Sequence, residues 1–126
     1  MNVVDSSAWI AYLTGGPNAA FFAKPIESTE KLIVPVLVLY EVFKRIQRAR
    51  DESSALEVVA HMMQGKVVDL TATLAIDAAR LSVEKKLPMA DAMILASAQA
   101  HDAVLWTQDA HFEGIEKVEY RAAKPR

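Results

Sequence analysis

The chain contains no cysteine. Disulfides, thiolate metal centres and a cysteine nucleophile are thereby excluded, and a reducing compartment fits. Glycine and proline are scarce, at four and five among 126 residues, so collagen-like and low-complexity structure are excluded too. No apolar stretch approaches the ~18 residues of a membrane-crossing helix. The run after Met1 lacks the basic leader and long apolar stretch of a signal peptide, so a cytoplasmic location without membrane contact is expected. Positive charge is not in excess either. The 14 Lys and Arg stand against 16 Asp and Glu, a net charge of −2, so a polyanion must be met by a local patch. What remains is an apolar fraction of 52% in 126 residues, which suits one domain (1–126) with a single core.

Short apolar runs alternate with helical patterns along the chain. Val3-Val4 ends at Asp5, and Ser6-Ser7 precede a segment carrying Trp9, Ile10 and Leu13. Gly15-Gly16-Pro17 stops that segment, and a short helix is expected over 18–23. Residues 31–34 read as a buried strand. After Pro35, residues Leu39, Val42, Phe43 and Ile46 fall on one helical face. A helix over 52–64 is closed by Gly65, and a strand over 66–70 follows. Thr71 is placed to cap a helix carrying Leu74, Ala78 and Leu81. The Asp91 helix comes next, then strands over 103–107 and 118–120. This order predicts an α/β fold whose short, mainly parallel sheet is flanked by helices in three layers. Ligands of such sheets lie beyond the carboxyl ends of the strands, at the switch point in strand order.

Two acids stand there by sequence, Asp5 after the first strand and Asp109 after Val104-Leu105-Trp106-Thr107. A third, Asp91, interrupts the apolar run "LPMADAMILA", where a lone carboxylate costs several kcal/mol to bury. A fourth, Glu41, opens the helix after Pro35. If the four converge, each pair at ~4 Å repels by roughly 4 kcal/mol at an effective dielectric near 20. A divalent cation reverses that sign. Oxygen ligands without His or Cys favour Mg²⁺ or Mn²⁺ over zinc, and such an ion suits phosphodiester hydrolysis.

Taken singly, each acid also has a purely structural reading. Asp5 can cap a helix, and Asp91 can complement a helix dipole. Asp109 can belong to a turn, and Glu41 can pair with Lys44 or Arg45 at i+3 and i+4. The functional signal lies in the set.

That set resembles the PIN-domain ribonucleases, and within them the VapC-type toxins of toxin–antitoxin pairs. The matching pieces are "VVDSSAWIAY", "VPVLVLYEVFKR", "LPMADAMILASAQAH" and "VLWTQDAHF", in order from one end of the chain to the other. The resemblance implies a PIN fold and an Mg²⁺- or Mn²⁺-dependent endoribonuclease. It also implies inhibition by a small cognate antitoxin, and a homodimer. Asp5, Glu41, Asp91 and Asp109 match the acidic quartet, which would hold the metal. Ser6 matches a small hydroxyl residue beside the first acid, and Thr107 one supporting the last. Where many members carry a further acid, this chain has His111. A lone loop histidine reads first as solvated; otherwise it reaches a metal-bound water or an RNA phosphate.

Lys44, Arg45 and Arg48 follow Glu41 at i+3, i+4 and i+7, with Arg50 just beyond. They can hold RNA phosphates beside the acids or simply form a solvated helix face. Trp9, Tyr12, Phe21 and Phe22 are expected in the core or at an interface, where in the family the antitoxin docks. Trp106, Met62 and Met63 read as core, and neither His61 nor His101 is expected to bind metal. Two other classes compete. A receiver-like phosphoacceptor would want adjacent acids after the first strand and a late lysine, which Asp5-Ser6-Ser7 and Thr107-Gln108-Asp109 do not supply. A PIN-like module that binds RNA or protein without catalysis would not require all four acids.

Overall fold

A computed structural model describes residues 1–124. Five strands form one sheet in the order β3-β2-β1-β4-β5. They are β1 (Asn2–Val4), β2 (Leu32–Pro35), β3 (Lys66–Val68), β4 (Val104–Thr107) and β5 (Val118–Tyr120). Every pairing is parallel, so the sheet is wholly rather than mainly parallel. Residues Leu32, Ile33, Val34 and Pro35 are all buried. Adjacent strand residues point to opposite faces, so both faces of the sheet are covered and the fold has three layers.

The helices that cover it are α1 (Ser6–Leu13), α2 (Ala19–Ile26), α3 (Val36–Ala49), α4 (Glu52–Met62), α5 (Ala72–Lys85) and α6 (Met89–Ala100). They pack mainly as the consecutive pairs α1–α2, α3–α4 and α5–α6. No helix among the described residues is long and apolar enough to cross a membrane.

Local chemistry moves several boundaries. Helix α2 runs three residues past the expected end and takes in Pro25. A proline in the last turn forfeits one bond, and the end is closed by Glu27 N–H donating to the Ala23 carbonyl and the Ser28 hydroxyl to that of Lys24. Gly65 follows the end of α4 at Met62, and its demand is space rather than handedness. A Cβ there would lie 3.0 Å from the Leu32 carbonyl oxygen and 3.1 Å from the Val34 side chain, so any larger residue would have to push β2 aside where the chain enters β3. Along α3 the fully buried line is Val38, Val42 and Ile46, with Leu39 and Phe43 displaced to its margin. Met62 is fully buried, but the neighbouring Met63 is 55% exposed and does not belong to the core. Trp106 is half-buried, its indole N–H donating to Asn2 Oδ1 at 2.9 Å.

Trp9 and Phe22 are sealed in the core and cannot meet a partner. Phe21 is half-buried, between the rings of Phe22 and Trp106 and the charged ends of Lys24 and Arg121. Tyr12 donates its hydroxyl to Glu27.

Candidate active site

Sheet order fixes where the site lies. Strand β1 sits at the centre, with β2 on one side and β4 on the other, so the chain's route reverses between β1 and β4. Asp5 follows β1 directly, and Asp109 lies two residues past β4. A backbone bond from Asp5 N–H to the Trp106 carbonyl, 2.9 Å, joins the two strand ends.

Asp5 is 2% exposed. It stands at the N-cap position of α1, yet its side chain makes no capping bond; its backbone carbonyl receives Ala8 and Trp9 N–H instead. The carboxylate is turned elsewhere. Oδ2 accepts the Ser7 hydroxyl at 2.8 Å and the Thr107 hydroxyl at 2.9 Å. Thr107 Oγ1 in turn accepts Asp109 N–H at 2.9 Å. One buried hydroxyl thus ties the first acid to the backbone of the fourth. The residue serving Asp5 through its side chain is Ser7 rather than Ser6. The resemblance had pointed to Ser6, but the first helical turn decides which hydroxyl points back, and that of Ser6 acts on Glu41 instead.

Asp91 lies in the first turn of α6, after the left-handed Lys86 (φ 56°) and the Leu87-Pro88 corner. The apolar run around it is not buried throughout. Met89 is 71% exposed, whereas Ala92 and 94–98 are buried, so Asp91 sits at the rim with its side chain 14% exposed. Its Oδ2 lies 2.8 Å from His111 Nδ1. That nitrogen is also 3.3 Å from Asp109 Oδ1, which accepts the backbone N–H of His111 at 2.9 Å. Donor atoms of Asp91, Asp109 and His111 all fall within 4.8 Å of one another. His111 is therefore not a free, solvated loop residue, although its side chain is 56% exposed.

Glu41 completes the set from α3. Its Oε1 is shut off from solvent with no hydrogen-bond partner among the described residues. Among those residues, no ion pair links it to Lys44 or Arg45. Lys44, Arg45 and Arg48 instead line a groove of about 310 Å³ with Ser6, Ser7, Ile10, Tyr40 and Glu41. Ser7 is the wall shared between that groove and Asp5. Arg50 is not among the groove's lining residues. His61 lies against Trp9 and His101 Nδ1 against the Ser97 carbonyl, and neither joins the cluster of donor atoms.

The electrostatics follow from this crowding. Burial pushes the Asp5 carboxyl up; Ser7 and Thr107 pull it part of the way back, and nearby Asp109 raises it again. Burial also raises Glu41, with the Ser6 hydroxyl opposing and the charges of Asp5, Asp91 and Asp109 adding. Asp91 is raised by burial and by Asp109 and Asp5, against the contact with His111. The His111 imidazole is raised by its bond to Asp91 and by Asp109. The acids thus feel one another. Such a set fits a hard divalent cation: several carboxylates, one oxygen with no partner, and mutual repulsion to be relieved.

With this geometry, the comparisons are consistent. The PIN domain family matches residues 3–118, and the chain belongs to that family. Similar solved structures include a toxin–antitoxin complex from Klebsiella pneumoniae, at 22% identity and TM-score 0.78 over 94% of this chain and 96% of that one. VapC20 of Mycobacterium tuberculosis, described as a sarcin–ricin loop cleaving toxin, is 19% identical with TM-score 0.75, over 92% of this chain and 95% of that one. PAE2754 from Pyrobaculum aerophilum is 27% identical with TM-score 0.72, over 94% and 87%. No curated protein sequence matches the chain.

Proposed function

We propose that this protein is a metal-dependent endoribonuclease, acting as the toxin of a toxin–antitoxin pair, with residues 1–126 forming a single PIN domain. One observation carries the reading. Asp91 and Asp109 cluster with His111 beside the strand ends, Asp5 and Glu41 lie close enough for the charges to oppose one another, and Glu41 Oε1 is buried without a hydrogen-bond partner among the described residues. An oxygen in that state calls for positive charge, which neither Lys44 nor Arg45 gives it. These four acids would hold Mg²⁺ or Mn²⁺, which when bound lowers the pKa of a water and stabilises charge on a phosphoryl oxygen.

The remaining work falls to the chain's own residues. Ser7 and Thr107 fix the orientation of Asp5, and Thr107 also holds the Asp109 backbone, so acids from two adjacent strands keep one geometry. Lys44, Arg45 and Arg48 hold substrate phosphates along the groove, which draws the scissile bond over the acids. Hydrolysis in line, without a covalent enzyme intermediate, leaves a 5′-phosphate and a 3′-hydroxyl. RNA as substrate is supported by the activity in the name of VapC20, and a small antitoxin by the Klebsiella complex. A homodimer and a cytoplasmic location complete the proposal.

The test is incubation of total cellular RNA with purified protein in Mg²⁺, Mn²⁺ or EDTA, with the fragment ends sequenced. Discrete fragments bearing 5′-phosphates, absent in EDTA, are expected. Binding of RNA without any cleavage in either metal would replace the enzyme by a catalytically silent binding module.

A further inference from the structure

The acids that match the family pattern do not account for His111. This residue brings a nitrogen donor to a site otherwise built of oxygen. Its placement is enforced twice over. Its own backbone N–H is bonded to Asp109 Oδ1 at 2.9 Å, which anchors the residue to the fourth acid. Its ring Nδ1 then lies 2.8 Å from Asp91 Oδ2 and 3.3 Å from Asp109 Oδ1. The three residues can each offer one donor atom within 4.8 Å of the other two. Adjacent ligands of one ion with ~2.1 Å bonds are about 3 Å apart, so Nδ1 already stands at ligand spacing from both carboxylate oxygens.

We infer that His111 is an inner ligand of the cation held by Asp91 and Asp109, and that it biases the site toward Mn²⁺ over Mg²⁺. This rests on the reading of the acids as a cation site. The chemistry is direct. Mg²⁺ favours oxygen and sheds its water reluctantly, whereas imidazole nitrogen suits first-row transition ions. With an ion bound, Nδ1 presents its lone pair and the neutral ring carries its hydrogen on Nε2. The half-exposed ring has room to turn onto the ion without disturbing the core, since of the adjoining turn (Ala110–Phe112) only Phe112 is buried. An aspartate at this position would return the site to an all-oxygen set.

The experiment uses the RNA-free, full-length protein. Calorimetric titration with Mn²⁺ and with Mg²⁺ should show wild type binding Mn²⁺ at least tenfold more tightly. In His111→Asp that ratio should fall by about tenfold, chiefly because Mg²⁺ binding improves. Electron spin-echo spectroscopy of the bound Mn²⁺ supplies a readout that a merely structural histidine would not give. Nitrogen coupling is expected in wild type and in a His61→Gln/His101→Gln variant, and its loss in His111→Asp. Mn²⁺ bound without nitrogen coupling, or an Mn²⁺/Mg²⁺ ratio unchanged by His111→Asp, would overturn the role of His111 while leaving the acidic site standing. Binding of neither ion to wild type would remove the cation site and this inference together.

Discussion

The two ends of the acidic cleft are built differently. At the inner end Asp5 is 2% exposed, and its Oδ2 receives two hydroxyls from Ser7 and Thr107. At the outer end the Asp91 side chain is 14% exposed, that of Asp109 30% and that of His111 56%, and the three hold one another. The inner carboxylate is oriented by residues of α1 and β4. The outer group can adjust by side-chain rotation alone. In the proposed site, a fixed acid would set the geometry and an adjustable group would meet the ligand.

Removing an acid from either end should have the largest effect. Asp5→Asn and Asp91→Asn are each expected to lower RNA cleavage by about a thousandfold or more, the several kcal/mol that a metal ligand secures. Single-turnover cleavage of one identified RNA measures this. A loss under tenfold for Asp5→Asn would mean that the inner acid is only structural.

Thr107→Val separates orientation from ligation. It leaves all four carboxylates in place but deletes the donor to Asp5 and the acceptor for Asp109 N–H. Activity should fall by about 10–100-fold, with a stability loss of roughly 1–3 kcal/mol in urea unfolding. Ser7→Ala should resemble a weaker version of this, and Ser6→Ala should do less than Ser7→Ala. The reverse order would restore the assignment to Ser6.

The cationic wall is a third case, because in the proposed function it holds the substrate rather than orienting the acids. Lys44→Ala/Arg45→Ala/Arg48→Ala should raise KM with little change in kcat. It should also flatten the slope of log affinity against log salt by about 2, from ~0.7 per lost phosphate contact on single strands. An unchanged slope would show that these residues form only a solvated face.

The smallest effect should be on pH-dependent stability. Asp5, Glu41 and Asp91 have folded-state values raised above their ordinary 3.8 to 4.5. Between those ordinary values and the raised ones, the folded state keeps protons that the unfolded chain has lost. Stability of the metal-free protein should therefore fall as pH rises through that window. His111, raised from 6.5, acts in the same direction above that value. Thermal midpoints in EDTA between pH 4.5 and 8 should decline more in wild type than in Asp5→Asn. Equal slopes would mean that Asp5 carries its charge without strain.

Much of this architecture was legible in the sequence because it rests on period and position. The apolar runs at Val3-Val4 and 104–107 place Asp5 and Asp109 at strand ends, and the order of elements predicts parallel strands with a switch point between them. The cost of a carboxylate inside "LPMADAMILA" marks Asp91 from sequence alone. What sequence could not give was the phase of individual side chains. Ser6 and Ser7 differ only by 100° around one helical turn, and Met62 and Met63 likewise divide between core and solvent. The contact of His111 with Asp91 spans 20 residues and depends on how the turn after β4 folds back over α6, which no local pattern encodes. Its one legible signal was its position, two residues past Asp109, where the resemblance led one to expect an acid.

The most direct test of the central claim, that one cation offsets the repulsion of acids gathered at the switch point, is the thermal midpoint of wild type and Asp91→Asn at pH 7.5, in EDTA and in Mn²⁺. The account predicts that Mn²⁺ raises the wild-type midpoint by several degrees, and that Asp91→Asn is at least as stable as wild type in EDTA but gains little from the ion. Equal gains in both proteins, or none in wild type, would contradict it.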